Sequence, residues 1–551
     1  MIDITQHPTI GAAFFEAAAK FGDSTLLAVP ANGARSYAKH GLELSYNEAA
    51  NQVRQLMRCY AAQGYGVGHR VGLALENRPE HILHKLALNA VGACCVPINP
   101  DYRAAELSYL IEHAKLDLIV LLTSNRVGIE SALGQTNWQA PTVLLEAFIS
   151  ELPLAATAAT SVRPKQHTAA SILYTSGTTG KPKGCVLSHR YELAAGAWYA
   201  NMAGMIDIRQ GQERLYNPLP LFHVNASILS FFCMMLTGNC QIQTDRFTPN
   251  RWWDEVCQSR ATIVHYLGII IALLLGQPPS QRDRAHSVRF AVGAGVEPQL
   301  HAPFEQRFGF PLIEIWGMTE MVRLLGDCES PRQIGTRAFG RAKPGLEVQV
   351  VDAQDREVAP GTPGEMVIRH SASAPRQDFF SGYLDDDIAT EHAWRGGWFH
   401  TGDIVTRDAD GMLHFVDRNK HIIRRSGENI SAAQVEAVLQ THPLVQSVAV
   451  LPVADALREQ EVLACIVLTQ QALDSAGSTQ SNWQTAVAQQ IFQYCGDQLA
   501  YYKAPGWILF LPELPTTGTQ KIQKHRIFRD GEDPRQRDDI VDCRALKKRR
   551  A

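Results

Sequence analysis

Paired-cysteine motifs, a charge bias and long apolar runs are what this 551-residue chain lacks. Its eleven cysteines, at 59, 94, 95, 185, 233, 240, 257, 328, 465, 495 and 543, are odd in number, scattered and never spaced Cys-x-x-Cys, which points to the cytoplasm. Cys94 and Cys95 fall in the apolar stretch Val91 to Ile98 and read as small buried thiols. The formal charge of −3 argues against a nucleic-acid partner bound by phosphate neutralisation. Ile228 to Leu236 and Ile263 to Leu275, the second carrying His265, fall short of the ~18 to 20 residues of a transmembrane segment and read as buried core. The start, Met1-Ile2-Asp3-Ile4-Thr5, has no basic region followed by an apolar core, so no signal peptide is indicated. There are no internal repeats. With 19% charged and 45% hydrophobic residues the chain is not a disordered one. At roughly 150 residues per domain its length suggests three or four units of a large globular enzyme.

What is present alternates helical patterns with short β-branched runs. Ile172 to Thr175, Arg289 to Val292 and Leu312 to Trp316 read as strands, each leading to a glycine-bearing turn at 177, 293 or 317, where an α/β sheet binds its ligands. From about Gly345 the runs Val348 to Val351, Met366 to Ile368 and Leu413 to Val416, separated by Pro-Gly and Asp-Gly turns, read as a smaller antiparallel sheet or distorted barrel. A third unit follows Asp417: Ser431 caps a helix through Leu439, Val445 to Val453 and Val462 to Thr469 are strands, Trp483 to Leu499 is a helix, and Trp507 to Leu511 is a final strand. The fold class is therefore α/β, with a large composite N-terminal body and a small α+β C-terminal domain. The tail 531–551, ending Leu546-Lys547-Lys548-Arg549-Arg550-Ala551, reads as a solvated basic end.

The most informative stretch is Tyr174-Thr175-Ser176-Gly177-Thr178-Thr179-Gly180-Lys181-Pro182-Lys183-Gly184, which follows a strand. Its glycines let backbone N–H groups approach an anion, its hydroxyls donate to phosphate oxygens and its lysines neutralise charge. It is not a Walker loop, since Thr stands at 175 where Gly is needed and Pro at 182 where Ser or Thr is needed; nor is a Gly-x-Gly-x-x-Gly fingerprint present.

The loop closely resembles the signature of the adenylate-forming superfamily of acyl-CoA synthetases, luciferases and peptide-synthetase adenylation domains. Further motifs resemble that family's in the right order: Trp316-Gly317-Met318-Thr319-Glu320, Trp398-Phe399-His400-Thr401-Gly402-Asp403, Asp417-Arg418 with Gly427-Glu428-Asn429-Ile430, and Pro515 to Lys524. The resemblance spans roughly residues 10 to 530. It implies a body over 1–417, a hinge at 418–420 with Lys420 at its centre, and a mobile domain over 421–530. It also implies the two-step activation of a carboxylate: acid plus ATP gives acyl-AMP and pyrophosphate, then acyl-AMP plus coenzyme A gives acyl-CoA and AMP. Transfer to a separate carrier protein is the alternative. The implied cofactors are ATP, Mg2+ and coenzyme A, the partner a small-molecule carboxylate, and a homodimer stays open.

Roles follow from the same resemblance, each matched to a chemical need. Thr175, Ser176, Gly177, Thr178, Thr179, Gly180, Lys181 and Lys183 hold the β- and γ-phosphates. Thr319 donates to the α-phosphate, and Glu320 is the magnesium ligand. Trp316, with Gly317 and Met318, stacks on adenine, and Gly293-Ala294-Gly295 flanks it. Asp403 accepts from the ribose hydroxyls with Arg418 assisting. Lys521 is the cation of adenylation; its segment departs from the usual Gly-Lys form, with Gln520 before the lysine and Gly518 two positions earlier. Gly427 lets the backbone pass close to pantetheine. His223, in Pro220-Leu221-Phe222-His223, stands where carboxylate and pantetheine meet.

Gly317 occupies a position that is Trp in acetyl-CoA synthetases and argues for an acid longer than acetate. The stretch Arg260 to Arg284 is most similar to the crotonobetaine/carnitine-CoA ligase branch. A trimethylammonium group favours aromatic faces, for which Trp198, Tyr199 and Tyr266 are candidates; the same residues suit an aryl or medium-chain acid.

Overall fold

The computed structural model describes residues 1–102, 104–175, 182–418, 422–425, 428–455, 458–476, 483–499, 501–516, 522–529 and 531–547. By compactness the chain forms two units, Met1–Glu347 with Ile368–Phe399, and Val348–Val367 with His400–Ala551.

The first unit is built on two mixed sheets. In the larger, the parallel strands Leu312–Met318, Phe290–Ala294, Ile263–Leu267, Arg214–Asn217, Cys240–Gln243 and Thr25–Val29 lie in that order, flanked by antiparallel edges Met321–Gly326 and Leu42–Ser45. The near-continuous burial of Ile263 to Tyr266 and Phe290 to Gly293 is that of parallel strands covered on both faces. Parallel register brings the carboxyl ends of four strands, at Asn217, Leu267, Ala294 and Met318, to one edge.

Gly293 and Gly317 belong to the strands and not to the turns expected from sequence. The reason at 293 is packing: a Cβ there would stand 2.3 Å from the Tyr266 carbonyl oxygen of the neighbouring strand. The turn proper begins at Gly295, whose φ of +85° favours glycine.

The second sheet orders Gly382–Tyr383, Lys183–Ser188, Ala169–Thr175, Cys94–Pro97, Arg70–Ala74, Leu118–Leu121 and Thr142–Leu144. Ala169–Thr175 and Lys183–Ser188 form an antiparallel hairpin closing on the pair Thr175 and Lys183. Ser188 then caps the helix His189–Ala200, accepting from Tyr191 N. The apolar stretch Ile228 to Leu236 is buried throughout. Ile263 to Leu275 is only partly so: it splits into a buried strand and the helix Gly268–Leu275, whose outer face exposes Ile269 and Leu273. Among the described residues no helix is long and apolar enough to cross a membrane.

The strands Leu413–Arg418, Phe399–Arg407, Gly364–Arg369 and Glu347–Val351 form part of an open sheet, the first of the two forms expected from their turns, and not a barrel. The pairing runs from one strand to the next without returning to the first, so no ring forms among the described residues.

The C-terminal sheet orders Glu428–Ser431, Ile422–Arg425, Glu459–Leu468, Trp507–Phe510 and Ile540–Asp542, with Val445–Asp455 also paired to Glu459–Leu468. The helices Ala432–Gln440 and Trp483–Gln498 bury Val435, Leu439, Ile491 and Phe492 against Ile423, Val448, Ile466 and Ile508. Trp507–Phe510 is not the final strand, because Ile540–Asp542 pairs beyond it. Nor is the tail wholly solvated: the Lys547 side chain is 2% exposed, its Nζ 2.5 Å from buried Glu461, which also takes Arg425 Nε at 2.8 Å. A carboxylate buried in the sheet draws the tail's cation inward.

Candidate active site

In the first unit the edge of the large sheet gathers the Trp316 to Glu320 segment. Trp316 is buried, its ring 6.3 Å from Phe339. Gly317 is exposed, and a Cβ on it would have its nearest neighbours at 3.8 Å (Met321 O) and 3.9 Å (Leu324 Cβ), so the space beside it is open. Tyr191 OH donates to the Thr319 carbonyl at 2.7 Å, and Phe380 N to the Glu320 carbonyl at 3.0 Å. These two bonds fix the backbone at the strand's end.

The Glu320 side chain is 6% exposed. Its Oε1 accepts from Tyr383 OH at 2.8 Å, and Lys183 Nζ lies 4.7 Å from the centre of the Tyr383 ring. Burial, with the Glu320 charge next, drives the Tyr383 pKa far up, so the phenol stays protonated and donates. The carboxylate at the end of one sheet and the lysine at the base of the hairpin in the other thus meet on one tyrosine.

The Gly293-Ala294-Gly295 segment is held by a residue that motif reading passed over. Glu314 accepts from Tyr266 OH at 2.8 Å and from Gly295 N at 2.9 Å, and burial pushes its carboxyl up to about 7. The signal was available: a charged residue inside the apolar run Leu312-Ile313-Glu314-Ile315-Trp316. Gly268 is also fixed here, because a Cβ on it would fall 1.7 Å from the Gly295 carbonyl oxygen.

His223 is exposed, at the start of a turn that continues into the π-helix Asn225–Ser230. A buried polar network backs it. His265 Nδ1 lies 2.7 Å from Asn225 Oδ1, and its Nε2 lies 2.9 Å from Tyr199 OH. Asn217 Nδ2 donates to the same Asn225 oxygen at 3.0 Å. Burial lowers the His265 pKa to about 3, so the ring is neutral: Nδ1–H donates to Asn225 and Nε2 accepts from Tyr199. π-turns concentrate at functional sites, but their single extra residue leaves no mark in the apolar pattern.

Of the acyl-pocket candidates, Tyr199 and Tyr266 are at most 1% exposed, with hydroxyls committed to His265 and Glu314. Trp198 is partly exposed; its Nε1 donates to the Leu324 carbonyl at 2.8 Å, and the Arg323 guanidinium lies 5.6 Å from its ring.

In the second unit Asp403 and Arg418 are cross-strand partners, Arg418 Nε 2.6 Å from a carboxylate that is 1% exposed. Gly402, at φ +70°, turns the backbone so that its N–H donates to Glu365 Oε1 at 3.0 Å. Asp417 Oδ2 accepts from Ser431 Oγ and Ala433 N, both at 2.9 Å, tying the strand to the cap of the Ala432–Gln440 helix. Ser176, Gly177, Thr178, Thr179, Gly180 and Lys181, with Lys420, Gly427 and Lys521, lie outside the described residues.

Comparison with known proteins bears on this arrangement as a whole. The family model described as AMP-binding enzyme matches residues 14–384, and that described as AMP-binding enzyme C-terminal domain matches residues 434–521. The chain is 28% identical over 500 residues to a crotonobetaine/carnitine–CoA ligase of Salmonella paratyphi A, covering 88% of this chain and 93% of that protein. In fold it is similar to ATP-bound MatB from Rhodopseudomonas palustris, with a TM-score of 0.76 at 24% identity over 94% of this chain and 98% of that one. It is likewise similar to the anthranilate CoA ligase AuaEII in complex with anthranoyl-AMP, with a TM-score of 0.78 at 21% identity over 94% and 96%.

Proposed function

Since the chain belongs to the AMP-binding enzyme family, we propose that it is an AMP-forming acid–CoA ligase acting on a carboxylic acid larger than acetate. The observation that carries this reading is the meeting of Glu320 and Lys183 on Tyr383, which brings the Trp316 to Glu320 segment to the base of the Thr175 to Lys183 hairpin. A carboxylate beside a lysine and a glycine-, hydroxyl- and lysine-rich loop is a donor set suited to a nucleoside triphosphate and a divalent cation.

The carboxylate of the acid attacks the α-phosphorus of ATP, the bond to the β-phosphate breaks, and pyrophosphate leaves. The thiol of coenzyme A then displaces AMP from the acyl carbon, its proton going to solvent. In the first step Thr175, Lys183 and the intervening loop hold the β- and γ-phosphates, Thr319 donates to the α-phosphate, and Trp316 with Gly293-Ala294-Gly295 receives the adenine. Asp403 and Arg418 address the ribose hydroxyls, and Lys521 balances the charge that develops on the phosphates. Glu320 is the protein's ligand to magnesium. A single hard carboxylate fits an ion that takes its remaining ligands from phosphates and water, and no cluster of three metal-ligating side chains exists among the described residues. Magnesium, when bound, neutralises phosphate charge as a Lewis acid. Gly427 borders the pantetheine path in the second step, and Lys420 serves as the hinge. The eleven free thiols accord with a cytoplasmic enzyme.

The size of the acid is argued from Gly317, exposed with open space beside it. Gly317→Trp is expected to lower kcat/KM for medium-chain or aryl acids at least tenfold while sparing acetate, because an indole fills that space. Pyrophosphate release across acids of graded size checks it, and equal loss for every acid would remove Gly317 from the pocket wall. Among these three aromatics a betaine finds no open ring face free of a cation: the faces of Tyr199 and Tyr266 are buried, and Trp198 already lies beside the Arg323 cation.

A further inference from the structure

Tyr383 lies outside every motif that points to the function, 63 residues beyond Glu320, yet it touches both halves of the phosphate-handling apparatus. Its placement is over-determined. Gly382 and Tyr383 pair antiparallel with Val186 and Cys185, extending the hairpin that carries Lys183. Tyr383 N donates to Thr390 Oγ1 at 2.9 Å, and the Leu384 amide donates to the Gly184 carbonyl at 2.8 Å. Gly382 must be glycine for this approach: its φ is +143°, and a Cβ would stand 3.2 Å from Thr390 Oγ1. The backbone is thus fixed to the hairpin, while the hydroxyl reaches the other sheet and donates to Glu320 Oε1 at 2.8 Å. Phe380 N, three residues earlier on the same segment, donates to the Glu320 carbonyl at 3.0 Å.

We propose that Tyr383 is a positioning residue for the divalent cation of the nucleotide site: its hydroxyl fixes the Glu320 carboxylate in the orientation that binds the ion, in register with Lys183 on its ring face. The inference rests on the reading of Glu320 as the cation's ligand. A phenol bound to one carboxylate oxygen restricts rotation of the group, so that the ordering is complete before the ion arrives. Hydrogen-bond partners that orient a ligand in this way are worth about 10- to 100-fold in metal affinity. The two contacts of Tyr383 are separable by substitution. Phenylalanine keeps the ring beside Lys183 and the strand pairing but removes the donor to Glu320; leucine removes donor and ring together.

The test is equilibrium binding to the full chain, with Mn2+ followed by electron paramagnetic resonance in the presence of saturating α,β-methylene-ATP, and the nucleotide alone titrated calorimetrically without metal. Melting curves establish that each variant is folded. Y383F is expected to weaken Mn2+ about 10- to 100-fold and to leave metal-free nucleotide binding within about twofold, whereas Y383L weakens both. Mn2+ affinity within twofold of the parent in Y383F would overturn the proposal. So would equal loss of metal and metal-free nucleotide binding in Y383F, which a merely structural tyrosine produces. Should Y383F not fold, T390V, which releases the amide of Tyr383 and gives up the hydroxyl's bond to the Asp386 carbonyl, is read in its place: a selective loss of Mn2+ affinity supports the proposal and no change overturns it. E320Q separates this inference from the reading beneath it. If E320Q binds Mn2+ as the parent does, the assignment of Glu320 fails; if E320Q loses Mn2+ and Y383F does not, only the role of Tyr383 fails.

Discussion

Lys521→Ala is expected to slow acyl-adenylate formation by on the order of 10²–10³-fold or more, yet to leave the conversion of supplied acyl-adenylate to thioester near the parental rate. That is the size of effect seen when one donor to a developing charge is removed. The asymmetry follows from the charge balance of the two steps. Pyrophosphate expulsion puts new negative charge on phosphate oxygens and needs a cation; attack of a thiol on the acyl carbon releases a phosphate ester already formed. The described residues on either side of Lys521 are tied to one another and to the domain. Thr516 and Ile522 form an antiparallel bridge, Gln523 N donates to the Pro515 carbonyl at 2.7 Å, and Lys524 Nζ lies 2.8 Å from Glu436. Glu436 in turn accepts from Val450 N at 2.6 Å, on the strand beside its helix. Pyrophosphate exchange measures the first half-reaction and thioester formation from synthetic acyl-adenylate the second; equal losses in both would refute the role.

The second large effect is on stability. Lys85 and Glu192, 1% and 0% exposed at the side chain, form an ion pair at 2.7 Å beneath the smaller sheet. Lys85 Nζ also donates to Ser171 Oγ at 2.5 Å, which joins the helix Pro79–Val91 to the strand Ala169–Thr175. Neighbouring His81 and His84 are pushed by burial to about 3, so they stay neutral and add no second positive charge beside the ammonium. Glu192→Leu leaves an ammonium in an apolar interior and is expected to cost about 3–5 kcal/mol. Adding Lys85→Met removes the stranded charge, and the double variant is expected to recover most of that loss. Denaturant midpoints check both statements, and a double variant less stable than Glu192→Leu would contradict the second.

These cases mark what local sequence carries. Ser431 was legible as a helix cap because a cap is a contact over three residues, and it accepts from the backbone three positions on. The glycine-, hydroxyl- and lysine-rich stretch and the Trp316 to Glu320 segment stand out in the sequence because each motif is compressed into a few consecutive residues. Tyr383 was not: its bond to Glu320 depends on Gly382 and Tyr383 pairing with the Lys183–Ser188 strand almost 200 residues earlier, and no spacing rule reports that. The bond from Tyr266 to Glu314 spans 48 residues and that from Tyr199 to His265 spans 66, so Tyr266 and Tyr199 read as apolar pocket walls when their hydroxyls are spent inside the core. Gly293 shows the converse. Its glycine was visible, but a turn and a close approach between strands call for the same residue, and only the 2.3 Å to Tyr266 O decides between them. The tail failed for a similar reason: Lys547 belongs to a charge run that ends a chain, and the buried Glu461 that pairs with it lies 86 residues away.

The account stands on one reaction, formation of a thioester with loss of pyrophosphate. The direct measurement is chromatographic quantitation of all nucleotide and acyl products when the full chain is given ATP, Mg2+, coenzyme A and a panel of short, medium-chain, branched, aryl and betaine acids, each with and without coenzyme A. The account predicts that an accepted acid gives AMP, pyrophosphate and acyl-CoA in equal amounts, with thioester and sustained AMP formation dependent on coenzyme A. ADP and inorganic phosphate as the primary products, or AMP release with no thioester for any acid of the panel, would contradict it.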